Sequence, residues 1–219
     1  MSKETEEDQT KVLFDVGAPV KVVPPPEFFP EEIREPEPDR TEHMVFSPPL
    51  AGATISLCGK YRYVLWRKLK SSGKRILWIC LNPSVADATI DDPSLNRMIS
   101  FSKRMDAAEV FVCNLFAYRT PFPKDLHKAA KRSFDVVGPC NYDHILEQVW
   151  KCTTCVAGWG AGGSFQEQGR NVFNKIRKWH KPVMCLGKTK HGHPRHPLYV
   201  SGNAPLIPFE YPNDEGVEF

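Results

Sequence analysis

From residue 75 the chain reads RILWICL, an unbroken apolar run of strand length. Comparable runs follow as EVFVCNLF from residue 109, TTCVAGW at 153–159 and PVMCLG at 182–187. Apolar runs without strict polar alternation predict strands covered on both faces. Between them the period changes. After Asp92, the residues Leu95, Met98, Ile99, Ser102 and Met105 recur at three- and four-residue spacing. That spacing predicts a helix, with Asp92 as its cap and Pro93 in its first turn. A short helix is expected after the second strand. Ile145, Leu146, Val149 and Trp150 predict another over about 141–151, and Phe165, Val172, Phe173, Ile176 and Trp179 a further one in SFQEQGRNVFNKIRKWH. Upstream, ATISLCGKYRYVLWRKL reads as two strands turning at Gly59-Lys60.

Buried strands alternating with amphipathic helices predict an α/β fold: a three-layer α/β/α sandwich around a mostly parallel sheet. The first 50 residues do not share this patterning. They hold nine prolines, 5 basic and 12 acidic residues, and include VVPPPEFFPEEIREPEPDR. Such a segment cannot bury enough apolar surface to pack, so a disordered or extended acidic tail is expected over 1–50. A single domain is expected over 51–212, with a frayed end at 213–219.

Charge sharpens this division. Residues 51–219 carry 24 basic and 14 acidic residues, so a basic body follows an acidic tail. A basic body favours anionic partners such as a nucleobase, a nucleotide or DNA, although charge spread for solubility accounts for it equally well. No apolar stretch approaches the ~18 residues of a membrane helix. The N-terminus has no apolar signal region, and the seven cysteines form no short disulfide framework. A cytoplasmic protein with reduced thiols and no membrane partner is expected.

The polar clusters all follow the apolar runs. Asn82-Pro83-Ser84 follows the first, and Asn114, Phe116, Tyr118 and Arg119 end the second. Trp159-Gly160-Ala161-Gly162-Gly163 closes the third, and GKTKHGHPRHP at 187–197 follows the fourth. In an open α/β sheet ligands bind outside the carboxyl ends of the strands, so parallel strands would bring these clusters to one rim. Asn82 is held extended by the proline after it. Asp87 and Asp91 are candidates for a base or a metal ligand, and solvated loop charge is the simpler account of one of them. The Gly-rich turn could present backbone N–H groups to an anion, but it matches neither a Walker loop nor a dinucleotide fingerprint. The three histidines at 191, 193 and 196 lack a cysteine at zinc spacing, and Cys152-x-x-Cys155 lacks a second pair. Buried thiols are therefore expected, with no metal and no cofactor.

Taken in order, LNPSVADATIDDPS, VCNLFAYRTPFP, VGPCNYD, GWGAGG and LGKTKHGHPRHPLYV resemble the motifs of the domain-of-unknown-function family numbered 1643, which occurs in bacteria and their phages. The resemblance runs from about residue 61 to 208. It implies a bacterial or phage-infected host cell and no established activity. A more distant resemblance is to the uracil-DNA glycosylase superfamily, in which a strand ends in an Asn-Pro motif that positions water and a later strand leads to a His-Pro motif facing the base. Leu81-Asn82-Pro83-Ser84 resembles the first and His196-Pro197 the second. Leu81 stands where glycine is common, and Leu-Tyr follows His196-Pro197 where Ser-Pro is usual.

That likeness implies a glycosylase-like fold and hydrolysis of an N-glycosidic bond. Asn82, helped by Asp87 or Asp91, would hold the water, and His196 would donate to the leaving base. Tyr118 or Phe116 would stack on the base, and Lys188, Lys190 and Arg195 would contact phosphates. Ser84, Asn114, Arg119, Trp159, Gly160 and His193 complete the expected binding set. Two other readings stand beside this one. One is a non-catalytic nucleic-acid or nucleotide binder using the same cleft. The other is a phage protein-interaction module acting through the proline-rich tail.

Overall fold

The computed structural model describes residues 42–47 and 50–212. Eight strands form one sheet: β1 (Glu42–Ser47), β2 (Ala51–Ser56), β3 (Arg62–Lys68), β4 (Lys74–Cys80), β5 (Ala107–Asn114), β6 (Thr154–Ala157), β7 (Val183–Cys185) and β8 (Ile207–Pro208). Their spatial order is β1-β2-β3-β5-β4-β6-β7-β8. The helices are α1 (Pro93–Arg104), α2 (Pro123–Lys131), α3 (Asn141–Lys151) and α4 (Gln168–Arg177).

The fold is mixed α/β, and the sheet corrects one expectation. Strands β5, β4, β6 and β7 are mutually parallel. Four of the seven neighbouring pairs are nevertheless antiparallel, because β1–β2–β3 run as a meander onto β5 and β8 returns along β7. Parallel pairing needs a crossover of a dozen or more residues, and the short links before β4 do not supply one. Strand β1 also lies within the segment expected to be disordered or extended. Apart from Leu50, the rest of that tail and the C-terminal end expected to fray lie outside the described residues.

Each face of the sheet carries its own core. Leu95, Met98 and Phe101 of α1 pack on one face with Ile76, Trp78, Val110 and Val112. Residues of α2, α3 and α4, among them Leu126, Ile145, Val149, Val172, Phe173 and Ile176, pack on the other with Leu77, Ile79 and Cys113. Trp78 is fully buried and donates its indole N–H to Ser102 Oγ at 2.9 Å, so the one polar residue on the inner face of α1 has a partner. Asp92 caps α1 by accepting from the Leu95 N–H at 2.8 Å, with Pro93 in the first turn.

The winding direction changes at β4. The chain passes from β4 through α1 to β5 on one side, then through α2 and α3 to β6 on the other. A sheet wound both ways about one strand leaves a crevice at that strand's carboxyl end. The residue one step beyond β4 is Leu81, and the next is Asn82.

Candidate functional site

A cavity of about 890 Å³ opens at this crevice. Its walls come from the segments after all four parallel strands: Asn82 and Ser84 after β4, Asn114 and Thr120 from the end of β5 onward, Trp159 and Gly160 after β6, and Lys190, Arg195 and His196 after β7. The size falls within the range of small-molecule pockets.

Asn82 is held by its own amide. Nδ2 donates to the Thr120 carbonyl at 2.8 Å and to the Pro83 carbonyl at 3.1 Å. Both partners are acceptors, so the nitrogen must face them and Oδ1 is left as the group for a ligand. Thr120 in turn donates its N–H to the Pro83 carbonyl at 3.0 Å, which joins the turn after β4 to the loop after β5.

His196 is oriented as firmly. Its Nδ1 accepts the Leu198 N–H at 3.2 Å, in the first turn of a short 3₁₀ segment, Pro197–Tyr199. Burial lowers the imidazole pKa, opposed by Asp92. A neutral ring accepting at Nδ1 carries its proton on Nε2, so His196 offers the cavity a donor without a full charge. The strand and turn of β6 pack closely on this loop: a Cβ on Gly158 would lie 3.1 Å from Pro197 Cδ, and the Gly160 N–H donates to the Pro194 carbonyl at 2.9 Å.

The acidic run between β4 and α1 has three separate tasks. Asp87 Oδ1 accepts from the Thr89 N–H, the Thr89 hydroxyl and the Ile90 N–H. Those bonds, the Thr89 N–H first, lower its pKa. Asp91 pairs with Arg67, whose Nη2 and Nε lie 2.7 and 2.9 Å from Oδ1. Neither Asp87 nor Asp91 lines the cavity. Asp92, which sequence reading takes only as a cap, does line it, and its second oxygen has no hydrogen-bond partner among the described residues. Arg67 also donates to the Asp87 carbonyl at 2.6 Å, and Arg62 donates from Nη1 to the Ala86 carbonyl at 2.5 Å. Two arginines of β3 thus hold the loop in place.

The structure brings Asn82, Ser84, Asn114, Trp159, Gly160, Lys190, Arg195 and His196 to one cavity and places the other expected residues elsewhere. Phe116 is fully buried in the core against Phe165, because it lies past the strand end on the side of α4. Tyr118 bridges to Tyr61 and packs edge-on against Phe134. Arg119 donates to the Gly59 carbonyl. Lys188 donates to the Glu210 carbonyl and sits over the Phe209 ring. His193 lies beside Tyr211. The glycines of the β6 turn serve packing: a Cβ on Gly162 would meet Leu81 at 2.6 Å, and one on Gly163 would meet Trp159 at 2.1 Å.

Sequence reading missed Arg62, which lines the cavity at 3% exposure. Its Nη2 donates to Asn114 Oδ1 at 3.2 Å. Asn114 is held from behind by Asn141, whose Nδ2 donates to the Asn114 and Leu115 carbonyls. Cys80 also lines the cavity; burial, opposed by Arg62, pushes its thiol up to about 12, which favours the neutral thiol over the reactive thiolate. Cys152 and Cys155 are buried thiols, each pushed up to about 12 by burial. Among the described residues, no group of three or more His, Cys, Asp or Glu is placed to hold a metal ion, and no helix is long and apolar enough to cross a membrane.

Residues 62–198 match the family model described as "Protein of unknown function (DUF1643)", well over half of the chain. The chain belongs to that family. Comparison with curated proteins and with solved structures gives no match. The matched span begins at Arg62 and ends at Leu198, and so contains every cavity residue named above.

Proposed function

We propose that this protein hydrolyses an N-glycosidic bond in a nucleoside, a nucleotide or DNA, on an architecture like that of uracil-DNA glycosylases. The observation that carries the reading is the pairing of Asn82 and His196 across one cavity. Each is turned by the backbone so that an acceptor, Asn82 Oδ1, and a neutral donor, His196 Nε2, remain for a ligand. Such a pair suits a reaction in which water attacks one end of a bond and a heterocycle departs from the other.

The water oxygen adds to the anomeric carbon as the carbon–nitrogen bond breaks, and the bonding electrons leave with the base. Asn82 Oδ1 accepts from the attacking water and aligns it. Asp92, in place of Asp87 or Asp91, takes up the proton that the water sheds; this proton finally reaches the departing base nitrogen. His196 Nε2–H donates to an oxygen of the base as negative charge builds there, and a preset donor of this kind contributes roughly 10²–10³ in rate. Lys190 and Arg195, exposed at the mouth, suit a phosphate attached to the sugar.

The test is release of free base, followed by chromatography and mass spectrometry. Nucleosides, nucleotides, and DNA carrying uracil or damaged bases would be incubated with the purified protein. Asn82→Ala and His196→Ala should each abolish release while the circular dichroism spectrum is unchanged. Tight ligand binding without any product would instead favour a non-catalytic binder, and unchanged release in both variants would overturn the mechanism.

A further inference from the structure

Two arginines of β3 are almost fully buried, and they differ in one respect. Arg67, at 7% exposure, is neutralised by Asp91. Arg62, at 3% exposure, has no carboxylate within ion-pairing distance among the described residues. Its two hydrogen bonds go to neutral acceptors, the Ala86 carbonyl and Asn114 Oδ1, and its Nε–H is buried with no partner. A buried cation without a paired anion is costly, and folds seldom keep one without a use. Here burial lowers the guanidinium pKa to about 10, with Asp92 opposing that shift and Arg119 adding to it.

The position of this charge matters more than its cost. Arg62 lines the same cavity as Asn82 and His196. Leu65, Leu95, Met98 and Val112 line that cavity too, and all four belong to the buried core on the α1 face. Of the charged side chains on the walls, Arg62, Lys190 and Arg195 are cations and Asp92 is the single acid. Arg62 is the one of these cations that is buried; Lys190 and Arg195 are exposed. In a low-dielectric pocket, such a fixed positive charge acts strongly on whatever sits beside it.

We infer that Arg62 makes this cavity selective for a planar, singly charged anionic heterocycle, bound with its delocalised negative charge toward the guanidinium. A phosphate dianion would bring two compact charges into apolar walls against one cation and would pay the larger desolvation cost. A ring with one delocalised charge presents apolar faces to Leu65, Met98 and Val112 and an anionic edge to Arg62. This deepens the hydrolase reading, on which it rests. The base that leaves an N-glycosidic bond with the bonding electrons is such a species, and Arg62 would hold it while His196 donates to it.

The test is calorimetric titration with barbiturate, an anionic ring at neutral pH, against uracil, its neutral near-isostere, with inorganic phosphate as a third probe. Wild-type protein should prefer barbiturate over uracil by ~10-fold or more, as close charge pairs in desolvated sites do. Arg62→Gln should erase the preference, Arg62→Lys should keep part of it, and the double variant Lys190→Ala/Arg195→Ala should keep it whole. Wild-type protein that binds both rings equally, or a Lys190→Ala/Arg195→Ala variant that binds phosphate more tightly than either ring, would overturn the inference even if Arg62→Gln does not fold. Base release that survives alongside an Arg62-independent preference would also overturn it while leaving the hydrolase reading intact. An Arg62-dependent preference with no base release from any substrate would support the anion site and count against hydrolysis.

Discussion

Asn82 and Thr120 are joined by a 2.8 Å hydrogen bond from Asn82 Nδ2 to the Thr120 carbonyl. The two residues stand 38 positions apart, one beyond β4 and the other beyond β5. The bond locks an amide whose nitrogen faces two carbonyls, so an isosteric carboxylate is the informative replacement. In Asn82→Asp, an oxygen would face the Thr120 and Pro83 carbonyls with nothing to donate. The variant should lose ~1–3 kcal/mol of stability, the cost of an unmade bond at a partly buried polar group. Part of that loss should return on acidification, because the protonated acid can donate. Urea denaturation at neutral and acidic pH measures this. Full stability of Asn82→Asp at neutral pH would show that the amide is not locked.

The Arg67–Asp91 pair carries a different expectation. Removing the carboxylate leaves a cation at 9% side-chain exposure without its counter-charge. Asp91→Ala should therefore cost ~1.5–3 kcal/mol, the range for hydrogen bonds to charged groups. Base release per folded molecule should not change, since Asp91 lies off the cavity. A large fall in turnover with stability intact would return Asp91 to the reaction.

These two cases mark how far local pattern reaches. The Asp92 cap, the inner face of α1 and the apolar runs of β4 to β7 were legible because each is a property of a few adjacent residues. The convergence of four loops at one rim followed from strand direction alone. Arg62 was not legible. In RYVLWRK it looks like any strand-end charge, and it reaches the cavity only because β3 pairs antiparallel with β5. That pairing is nonlocal, and a buried strand has the same apolar run in either direction. Phe116 and Tyr118 misled for a related reason: they follow the strand end, but the chain there turns toward the core and toward Phe134.

Gly163 sets the position of Trp159. A Cβ there would stand 2.1 Å from Trp159 Cδ1, so the indole must move or the turn must open. Gly163→Ala should cost ~1–3 kcal/mol, as overpacking does. It should also weaken binding to the cavity, because Trp159 is part of its wall. Denaturation followed by tryptophan fluorescence, together with barbiturate titration, tests both. Wild-type stability and affinity would mean the turn accommodates the methyl without shifting the ring.

His196 and Asp92 make the pH dependence specific. Burial pulls the imidazole pKa below its ordinary 6.5, and Asp92 pulls it back up. A group whose folded pKa is depressed contributes stability above its unfolded value. That stability is lost as pH falls through the folded value. Base release should follow the same direction, holding down through pH ~6.5 and declining only as pH falls through the lowered folded value, because protonation takes away the Nδ1 lone pair that accepts the Leu198 N–H. Asp92→Asn removes the one acid that raises this pKa, so the titration midpoint should move further down in that variant. Nitrogen-15 NMR of the histidine ring reads the midpoint and the tautomer together. An Nε2-protonated neutral ring that titrates lower in Asp92→Asn is the expected result. An Nδ1-protonated ring, or a midpoint that rises in the variant, would show that His196 is oriented and charged differently and would take away its role as a neutral donor.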